Sequence, residues 1–217
     1  MRDAYHDELD AVTDSLVEMT GMVGSAMGRA TRALLDADLQ LAETVITADE
    51  QVDALYRDIE ARAFDLLARQ QPVASDLRML VTSLRMVAEL ERAGDMALHV
   101  AKVARRRYPA SAVPAEMRDT VLEMGHAAEA IVAKAGSVIA RRDVRLAAEL
   151  ERDDDVMDQL HKRLFAVILD DAWQHGTEVA IDLTLVGRYY ERFADHAVSV
   201  ARRVVYLVTG VRPVPVG

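Results

Sequence analysis

Apolar residues recur at steps of three and four along almost the whole chain. One run comprises Leu9, Val12, Leu16, Met19 and Val23, and a later run comprises Leu77, Leu80, Leu84, Val87 and Leu90. This spacing places apolar side chains on one face of an α-helix, whereas a half-buried strand would alternate apolar and polar positions. Only 5% of the residues are aromatic, which also favours helices over sheet. The pattern therefore predicts an all-α chain.

Breaks in this pattern divide the chain into six predicted helices. The breaks carry the Asp, Gly and Pro residues that are typical of helix ends. We place the helices near residues 4–36, 38–70, 73–107, 115–141, 143–175 and 177–209. Asp38 and Asp143 stand at equivalent positions, and each is a predicted N-cap that accepts hydrogen bonds from otherwise unpaired backbone N–H groups.

The chain also contains an internal repeat of about a hundred residues. The segment Glu91-Arg92-Ala93-Gly94-Asp95 returns as Glu191-Arg192-Phe193-Ala194-Asp195, and Asp49 and Asp53 return as Asp154 and Asp158. A proline-bounded stretch, residues 108–114, separates the two copies. Short turns within each copy force neighbouring helices to run antiparallel. We therefore predict two tandem antiparallel three-helix bundles related by duplication, one in residues 1–108 and one in residues 109–217.

Charge and composition exclude several classes of protein. The 217 residues carry a formal net charge of −10, whereas nucleic-acid-binding proteins present clustered Lys and Arg. The chain has no cysteine, which rules out disulfides, thiolate metal sites and a cysteine nucleophile. The first eight residues are acidic rather than basic and apolar, and no uncharged run approaches the roughly 20 residues of a spanning helix. We expect a cytoplasmic protein without a transmembrane segment, whose membrane contact is at most peripheral.

Acidic residues four positions apart recur in both repeats. Each pair lies on one helix face, where like charges destabilise the helix by about 0.2–0.5 kcal/mol. Counting residues back from the turns near Gln71 and Gly176 places the pairs opposite each other on antiparallel helices. The carboxylates of each repeat then converge. The predicted metal ligands are Asp49, Asp53, Glu91 and Asp95 in the first repeat, and Asp154, Asp158, Glu191 and Asp195 in the second.

Such all-oxygen sites suit hard cations. We expect iron first, with manganese, magnesium, calcium and zinc as alternatives, and bridging carboxylates could hold more than one ion. The competing interpretation is a solvated acidic face that is neutralised by nearby arginines, namely Arg57, Arg92 and Arg192.

Other acids and histidines leave the exact ligand set open. In the second repeat, Glu151 and Asp155 form a competing pair, and Glu50 and Asp153 add further oxygens. His99 and His196 lie close to the signature acids and are additional candidate ligands. The segment from Glu123 to His126 has the Glu-x-x-His spacing of di-iron bundles, but it occurs once where such sites need two copies.

The residues themselves resemble the PhoU family, the cytoplasmic accessory and regulatory proteins of bacterial phosphate-specific transport. The resemblance spans nearly the whole chain. It rests on Glu-Arg-x-Gly-Asp at 91–95, Glu-Arg-x-Ala-Asp at 191–195, the Pro-Val-Ala-Ser-Asp-Leu-Arg run at 72–78 and the plan of twice three helices. The second motif departs from the family pattern at Phe193 and Ala194, but it keeps the acids.

The resemblance implies paired three-helix bundles whose acidic motifs bind multinuclear metal centres. It also implies a homodimer and a negative regulator of phosphate-starvation signalling. The implied partners are a phosphate ABC transporter and a sensor histidine kinase at the inner face of the membrane, with no nucleic acid. The sequence shows no catalytic motif, so we expect no enzyme. The rival hypotheses are a carboxylate-bridged di-iron enzyme or metal-storage bundle, and a purely structural helical adaptor.

Overall fold

Six long α-helices make up most of the protein. The computed structural model describes residues 2–211, and its described side chains begin at residue 5 and leave out that of residue 70. The end of the second predicted bundle, residues 212–217, lies outside the described residues. The helices are α1 (Arg2–Asp36), α2 (Leu39–Gln70), α3 (Ala74–Arg107), α4 (Arg118–Arg141), α5 (Val144–Ile168) and α6 (Gly176–Thr209). The prediction of an all-α fold is confirmed, and residues 2–211 contain no strand.

The two predicted N-caps are present. Asp38 Oδ1 accepts a hydrogen bond from the Leu41 N–H at 2.9 Å. Asp143 Oδ1 accepts from the N–H groups of Arg145 and Leu146, at 2.9 and 3.1 Å. Both aspartates have extended backbone, as an N-cap requires. The repeat therefore includes the N-cap aspartate at the start of the middle helix of each copy.

Two predicted boundaries were wrong. Helix α5 ends at Ile168 and not near residue 175, because Asp170 offers the backbone local partners outside the helix: its side chain accepts from the Ala172 N–H and its carbonyl from the Trp173 N–H. Gly176 then takes a positive φ of 79° at the start of α6. The region near residue 115 begins with a 3₁₀ turn, Ala115–Met117, before α4 proper.

The repeats pack side by side through two antiparallel helix pairs, α1 with α4 and α3 with α6. Helix α2 lies against α1 and α3, and α5 lies against α4 and α6. The buried apolar side chains of both repeats form one continuous core. The division into separate units at residue 108 therefore stays a prediction. Within residues 2–211, no helix combines the length and the apolar character that crossing a membrane requires.

Glycines let α1 and α4 approach closely. A Cβ at Gly125 would lie 2.6 Å from Thr31 Cγ2, and one at Gly136 would lie 2.4 Å from Thr20 Oγ1. The Thr31 hydroxyl is held in place by the buried Tyr190 hydroxyl at 2.7 Å. These contacts fix the register of the two first helices of the repeats, because larger residues would push the helices apart.

Charged clusters join α3 to α6 inside the core. At one end, buried Asp182 accepts hydrogen bonds from Arg106 and Arg107. Near the middle, buried Glu89 lies 2.9 Å from His196 Nδ1 and accepts from Arg203 Nη2 at 2.7 Å. Buried carboxylates need such partners, since an unpaired charge in the core is costly. Both clusters therefore help to set how α3 lies against α6.

Candidate metal centres

The four predicted acids of the first repeat, Asp49, Asp53, Glu91 and Asp95, face one another between α2 and α3. We call them the first acidic quartet. Burial raises the pKa of Asp49, and the charges of Asp53 and Asp95 raise it further. Burial likewise raises the pKa of Glu91, followed by the charges of Asp95, Asp53 and, more weakly, Asp49. These cross-helix effects mean that the carboxylates converge, as the residue count from the turn predicted.

A glycine allows the close approach of α3 to α2 at the first quartet. A Cβ on Gly94 would lie 3.2 Å from Val52 Cγ1 and 3.8 Å from Asp49 Oδ1. Asp49 is therefore partly shielded from water by the body of α3, which is the physical cause of its raised pKa. The segment from Glu91 to Asp95 thus contributes two acids of the quartet and the glycine that leaves space beside them.

The predicted acids of the second repeat, Asp154, Asp158, Glu191 and Asp195, face one another between α5 and α6. We call them the second acidic quartet. Burial raises the pKa of Asp154 to about 6, and the charges of Asp195 and Asp158 add to the effect. Burial, followed by the charge of Glu191, also raises the pKa of Asp195. The two repeats therefore build the same arrangement twice.

Two of the competing acids of α5 have basic partners on other helices. Glu151 accepts a hydrogen bond from Arg202 Nε at 2.6 Å, and Asp153 lies 2.5 Å from Lys134 Nζ. Asp155 is exposed, and its charge is a minor influence on Asp154. Asp158 is exposed as well, and Asp154 is the α5 acid whose pKa is raised by the α6 carboxylate of Asp195. In the first repeat, Glu50 is exposed.

Nearby arginines do not neutralise the first quartet. Arg57 donates to the backbone carbonyl of Asp53 at 3.1 Å. Among the described residues, no salt bridge joins a Lys or Arg to any acid of this quartet, although Arg92 and Lys102 act on it at longer range. In the second quartet, Arg188 donates to Glu191. Direct ion pairs with arginine are therefore absent from the first quartet among the described residues, and the choice between a solvated acidic face and a metal site stays open.

The additional candidate ligands have other partners. His99 Nδ1 lies 2.7 Å from the Asp95 carbonyl oxygen, and the ring packs edge-on against Tyr189. His196 belongs to the buried cluster with Glu89. Glu123 pairs with Arg163 at 3.7 Å on the surface, and His126 lines a groove between α1 and α4. Glu129 lines the same groove as His126, but the Glu-x-x-His spacing still occurs only once in the sequence.

One residue near the second quartet was not singled out by the sequence reasoning. His161 follows Asp158 by three positions on α5, and its Nδ1 lies 3.8 Å from Glu191 Oε2. The spacing Asp154, Asp158, His161 places all three residues on one helix face, and that signal was available in the sequence. It was missed because the equivalent residue of the first repeat is Tyr56.

Comparison with known proteins agrees with this duplicated arrangement. A family model described as "PhoU domain" matches residues 16–104 and again residues 121–204. The chain belongs to the PhoU family. The two PhoU matches cover one repeat each, so α2 with α3 and α5 with α6 are equivalent parts of two copies of the same domain.

Named PhoU relatives cover the whole chain. A Mycobacterium tuberculosis protein named "Phosphate-specific transport system accessory protein PhoU homolog 2" is 50% identical over 98% of this chain and 100% of its own length. A Rhizobium meliloti PhoU homolog is 31% identical, over 97% of this chain and 89% of its own.

Solved PhoU structures share the fold. The crystal structure of PhoU from Pseudomonas aeruginosa is 31% identical, with a TM-score of 0.83 over 95% of this chain and 100% of that chain. The phosphate transport system regulatory protein PhoU from Streptococcus pneumoniae has a TM-score of 0.85 over 97% of this chain and 100% of that chain. At 23% identity, the latter supports the fold alone.

The donor set of each quartet fits a hard cation. Burial raises the pKa values of Asp49, Glu91, Asp154 and Asp195, and repulsion from neighbouring carboxylates raises them further. A divalent ion would remove the repulsion while using oxygen ligands of the kind that such ions prefer. As the side chains stand, no group of three or more His, Asp or Glu among the described residues is arranged to hold a metal ion. Binding would therefore require rotamer changes.

Proposed function

We propose that this protein is a regulatory accessory protein of a phosphate-specific transport system, which restrains phosphate uptake and phosphate-starvation signalling. The observation that carries the proposal is the full-length likeness to proteins of that name, at 50% identity over 98% of this chain. That likeness covers all six helices. The names of these relatives describe an accessory protein of phosphate transport, and the regulatory role is the part that we propose.

The protein would act in the cytoplasm as an adaptor between a phosphate ABC transporter and a sensor histidine kinase. The identity of these partners follows from the family resemblance. Exposed apolar side chains support a role in protein contacts: Val73 and Leu77 lie at the start of α3, and Val208 lies near the end of α6. Arg78 donates to the Leu207 carbonyl, so these residues share one end of the molecule. The net charge of −10 argues against nucleic acid as a partner.

Metal binding by the two acidic quartets is the second part of the proposal. The first quartet would hold its ion with Asp49, Asp53, Glu91 and Asp95, and the second with Asp154, Asp158, Glu191 and Asp195. The ion supplies positive charge that converts repulsion between facing helices into attraction. Iron, manganese, magnesium, calcium and zinc are the candidates, and more than one ion per quartet is compatible with bridging carboxylates. Metal would then stiffen α2 against α3 and α5 against α6.

A homodimer is the proposed assembly. Its support is the family resemblance together with exposed apolar residues such as Phe64 and Val73, which are 55% and 74% exposed. Sedimentation or light scattering across a wide concentration range should give twice the mass of one chain. A monomer at every concentration would refute this part of the proposal without affecting the others.

The regulatory role is tested by deletion in the native host. Output of a phosphate-starvation reporter should rise in phosphate-rich medium when the protein is absent and fall again on complementation. The complementing variant Asp154→Asn/Asp158→Asn should restore repression less well than the wild type. The matched control Asp155→Asn alters an exposed acid of the same helix outside the quartet and should restore repression fully. Full repression in the deletion strain, with no second family member present, would refute the regulatory role.

Metal binding is tested on protein purified without chelator and then loaded with iron or manganese. Glu91→Gln/Asp95→Asn should lose the metal of the first repeat and keep that of the second, and helix content should not change. Elemental analysis measures the metal, and circular dichroism checks the helices. An unchanged metal content in this variant, or no metal in the loaded wild type, would contradict the metal proposal.

A further inference from the structure

The open sides of α3 and α6 belong to one face of the protein. Helix α3 packs against α1, α2 and α6, and α1 packs in turn against α2 and α4. The side of α3 that remains open therefore lies between α2 and α6. Since α6 packs against α3, α4 and α5, its open side lies between α3 and α5. The helices cross this face in the order α2, α3, α6 and α5, so the seam between α3 and α6 has one acidic quartet on either side.

Basic residues recur along α3 at steps of seven, namely Arg78, Arg85, Arg92, His99 and Arg106. A step of seven returns to nearly the same side of a helix, with a drift of about 20° per step. At about 1.5 Å per residue, the row is roughly 42 Å long. The charged residues of α3 that are exposed are all basic, namely Arg85, Arg92, Lys102, Arg105 and Arg106. The open side of α3 is therefore basic over most of its length.

This face has the opposite charge balance to the chain. Helices α3 and α6 together carry eleven Lys and Arg residues and eight Asp and Glu residues, whereas the whole chain carries 26 and 36. Two of the eight acids, Glu89 and Asp182, are buried in the seam and paired with arginines. Four more belong to the quartets. The middle of the face is thus basic, and both of its flanks are acidic.

Three exposed arginines on this face have no ion pair. Among the described residues, no salt bridge involves Arg85, Arg92 or Arg192. We call these three arginines the basic strip. Arg203 differs from them, because it donates to Glu89 across the seam at 2.7 Å. Arg92 and Arg192 are equivalent residues of the two repeats, so unpaired positive charge lies on both sides of the seam.

We propose that the basic strip binds an acidic helix of a partner protein. The inference rests on the proposed adaptor role for the nature of the partner, and it does not depend on metal binding by the quartets. An α-helix is about 10–12 Å wide, and packed helices lie about 8–10 Å apart, so one helix laid along the seam fits between the two quartets. A flat anionic membrane would meet both quartets, whose charge would repel it.

The spacing of the arginines specifies the pattern of the partner helix. A helix that runs along α3 presents every seventh residue on the side that faces the row, so carboxylates at that spacing would meet successive arginines. Exposed apolar residues lie on the same open sides: Leu77 and Val81 on α3, and Ile181 on α6. Recognition of a helix combines such apolar contacts with complementary charge. The partner helix should therefore be amphipathic, with acids at heptad spacing.

The test uses two labelled peptides of about four heptads, made of alanine, glutamine and one glutamate per heptad. One peptide has its glutamates at every seventh position. Its isomer has them at every fifth position, which spreads them around the helix. Fluorescence anisotropy measures binding at low ionic strength with chelator present, so that metal plays no part. The wild type should bind the heptad peptide more tightly than the isomer. Arg85→Gln/Arg92→Gln/Arg192→Gln should weaken binding of the heptad peptide by roughly tenfold, because each exposed ion pair contributes modestly.

The matched control is Arg32→Gln/Arg141→Gln/Arg145→Gln. It removes the same charge from exposed arginines of α1, α4 and α5. Peptide affinity should stay within about twofold of the wild type, because charges farther away than a Debye length are largely screened. Circular dichroism should show unchanged helix content in both triple variants. The single variants Arg85→Gln and Arg192→Gln should each show a smaller loss of affinity, which decides the matter even if the triple variant unfolds.

Equal binding of the heptad peptide by the wild type and the strip variant, or no preference for it over the isomer, would overturn the inference. Vesicles of phosphatidylglycerol and phosphatidylcholine in equal parts test the alternative. If the wild type bound these vesicles but neither peptide, and the strip variant did not, a membrane surface would replace the acidic helix.

The deletion strain separates this inference from the proposed function. A strip variant that restores full repression would overturn the docking role of the strip while leaving the regulatory role intact. If deletion did not change reporter output although the purified protein bound the heptad peptide through the strip, the regulatory role would fail and the strip would stand.

Discussion

Single carboxylates in this protein differ sharply in their surroundings. His196, with additional support from Arg203, holds the pKa of buried Glu89 at about 2 despite the opposing effect of burial. Asp154 has no such partner, and burial together with neighbouring acids raises its pKa to about 6. Both residues are acids on long helices, and their own sequence positions do not distinguish them. Paired acids such as Glu89 hold the repeats together, whereas the acids of the quartets would be stabilised by a bound cation.

Asp182 is the clearest test of the paired acids. Its side chain is 4% exposed and accepts from Arg106 and Arg107. Replacement by Asn should lower the free energy of unfolding by about 3 kcal/mol, because Arg107 would lose its charge partner within a largely buried site. This loss of unfolding free energy is at the low end of the range for a buried ion pair, because the second partner, Arg106, is 58% exposed. Urea unfolding at neutral pH measures the change.

Glu178 provides a matched control for Asp182. It contacts the same Arg107 at 3.0 Å but is 84% exposed. Glu178→Gln should cost less than about 1 kcal/mol, as is usual for surface ion pairs. Equal losses in the two variants would mean that burial does not decide the strength of these interactions.

At the scale of elements, the packing of α1 against α4 predicts opposite effects for two glycine substitutions. Gly125→Ala should destabilise the protein by about 1–3 kcal/mol, because the new methyl group would collide with Thr31, which Tyr190 holds in place. Gly21→Ala should stabilise it by up to about 1 kcal/mol, since no atom lies within 4 Å and alanine favours helix. Thermal unfolding of both variants gives the signs. If Gly21→Ala destabilised the protein, the space beside Gly21 on α1 would not be open as the structure shows.

The facing helices α5 and α6 predict a pH dependence of the metal-free protein. Asp154 has a pKa near 3.8 when unfolded and about 6 when folded. The folded state therefore binds more protons between these values, and stability falls as pH rises through that window. We expect the chelator-treated protein to be more stable at pH 5 than at pH 7, with at most about 1 kcal/mol of this from Asp154 after solvent screening.

Asp154→Asn should reduce that pH dependence. Glu89 adds little to the difference between pH 5 and pH 7, because its pKa is 4.5 when unfolded and about 2 when folded, so its contribution to stability is lost as pH falls from about 4.5 towards 2. Urea unfolding of both proteins at the two pH values makes the comparison. An identical pH dependence in wild type and variant would show that the acids of α5 and α6 do not repel each other as the structure indicates.

At the scale of the whole molecule, the shared core predicts cooperative unfolding. Contacts of α1 with α4 and of α3 with α6 join the repeats as extensively as contacts within each repeat. Trp173 is the only tryptophan and reports on the second repeat, while far-ultraviolet circular dichroism reports on both. The two signals should follow one urea transition. Separate transitions would instead support two independent units that divide near residue 108.

Much of this protein was determined by its sequence alone. Helical periodicity and the caps Asp38 and Asp143 depend only on residues a few positions apart. The recurrence of the acidic motifs is visible directly in the sequence. They were enough to predict six helices and the facing of Asp49 with Asp95, because antiparallel helices joined by short turns leave little freedom in register. The end of α5 was predicted wrongly, since the hydrogen bonds of Asp170 compete with the helix in a way that periodicity does not reveal.

Only the tertiary structure determined the contacts between residues that are distant in sequence. Glu89 meets His196 and Arg203 only because α3 packs against α6, and no pattern within either helix predicts that pairing. Glu151 likewise meets Arg202 only because α5 packs against α6. Charge, burial and partner act on a carboxylate over a few ångströms of space, whereas sequence patterns record only separation along the chain.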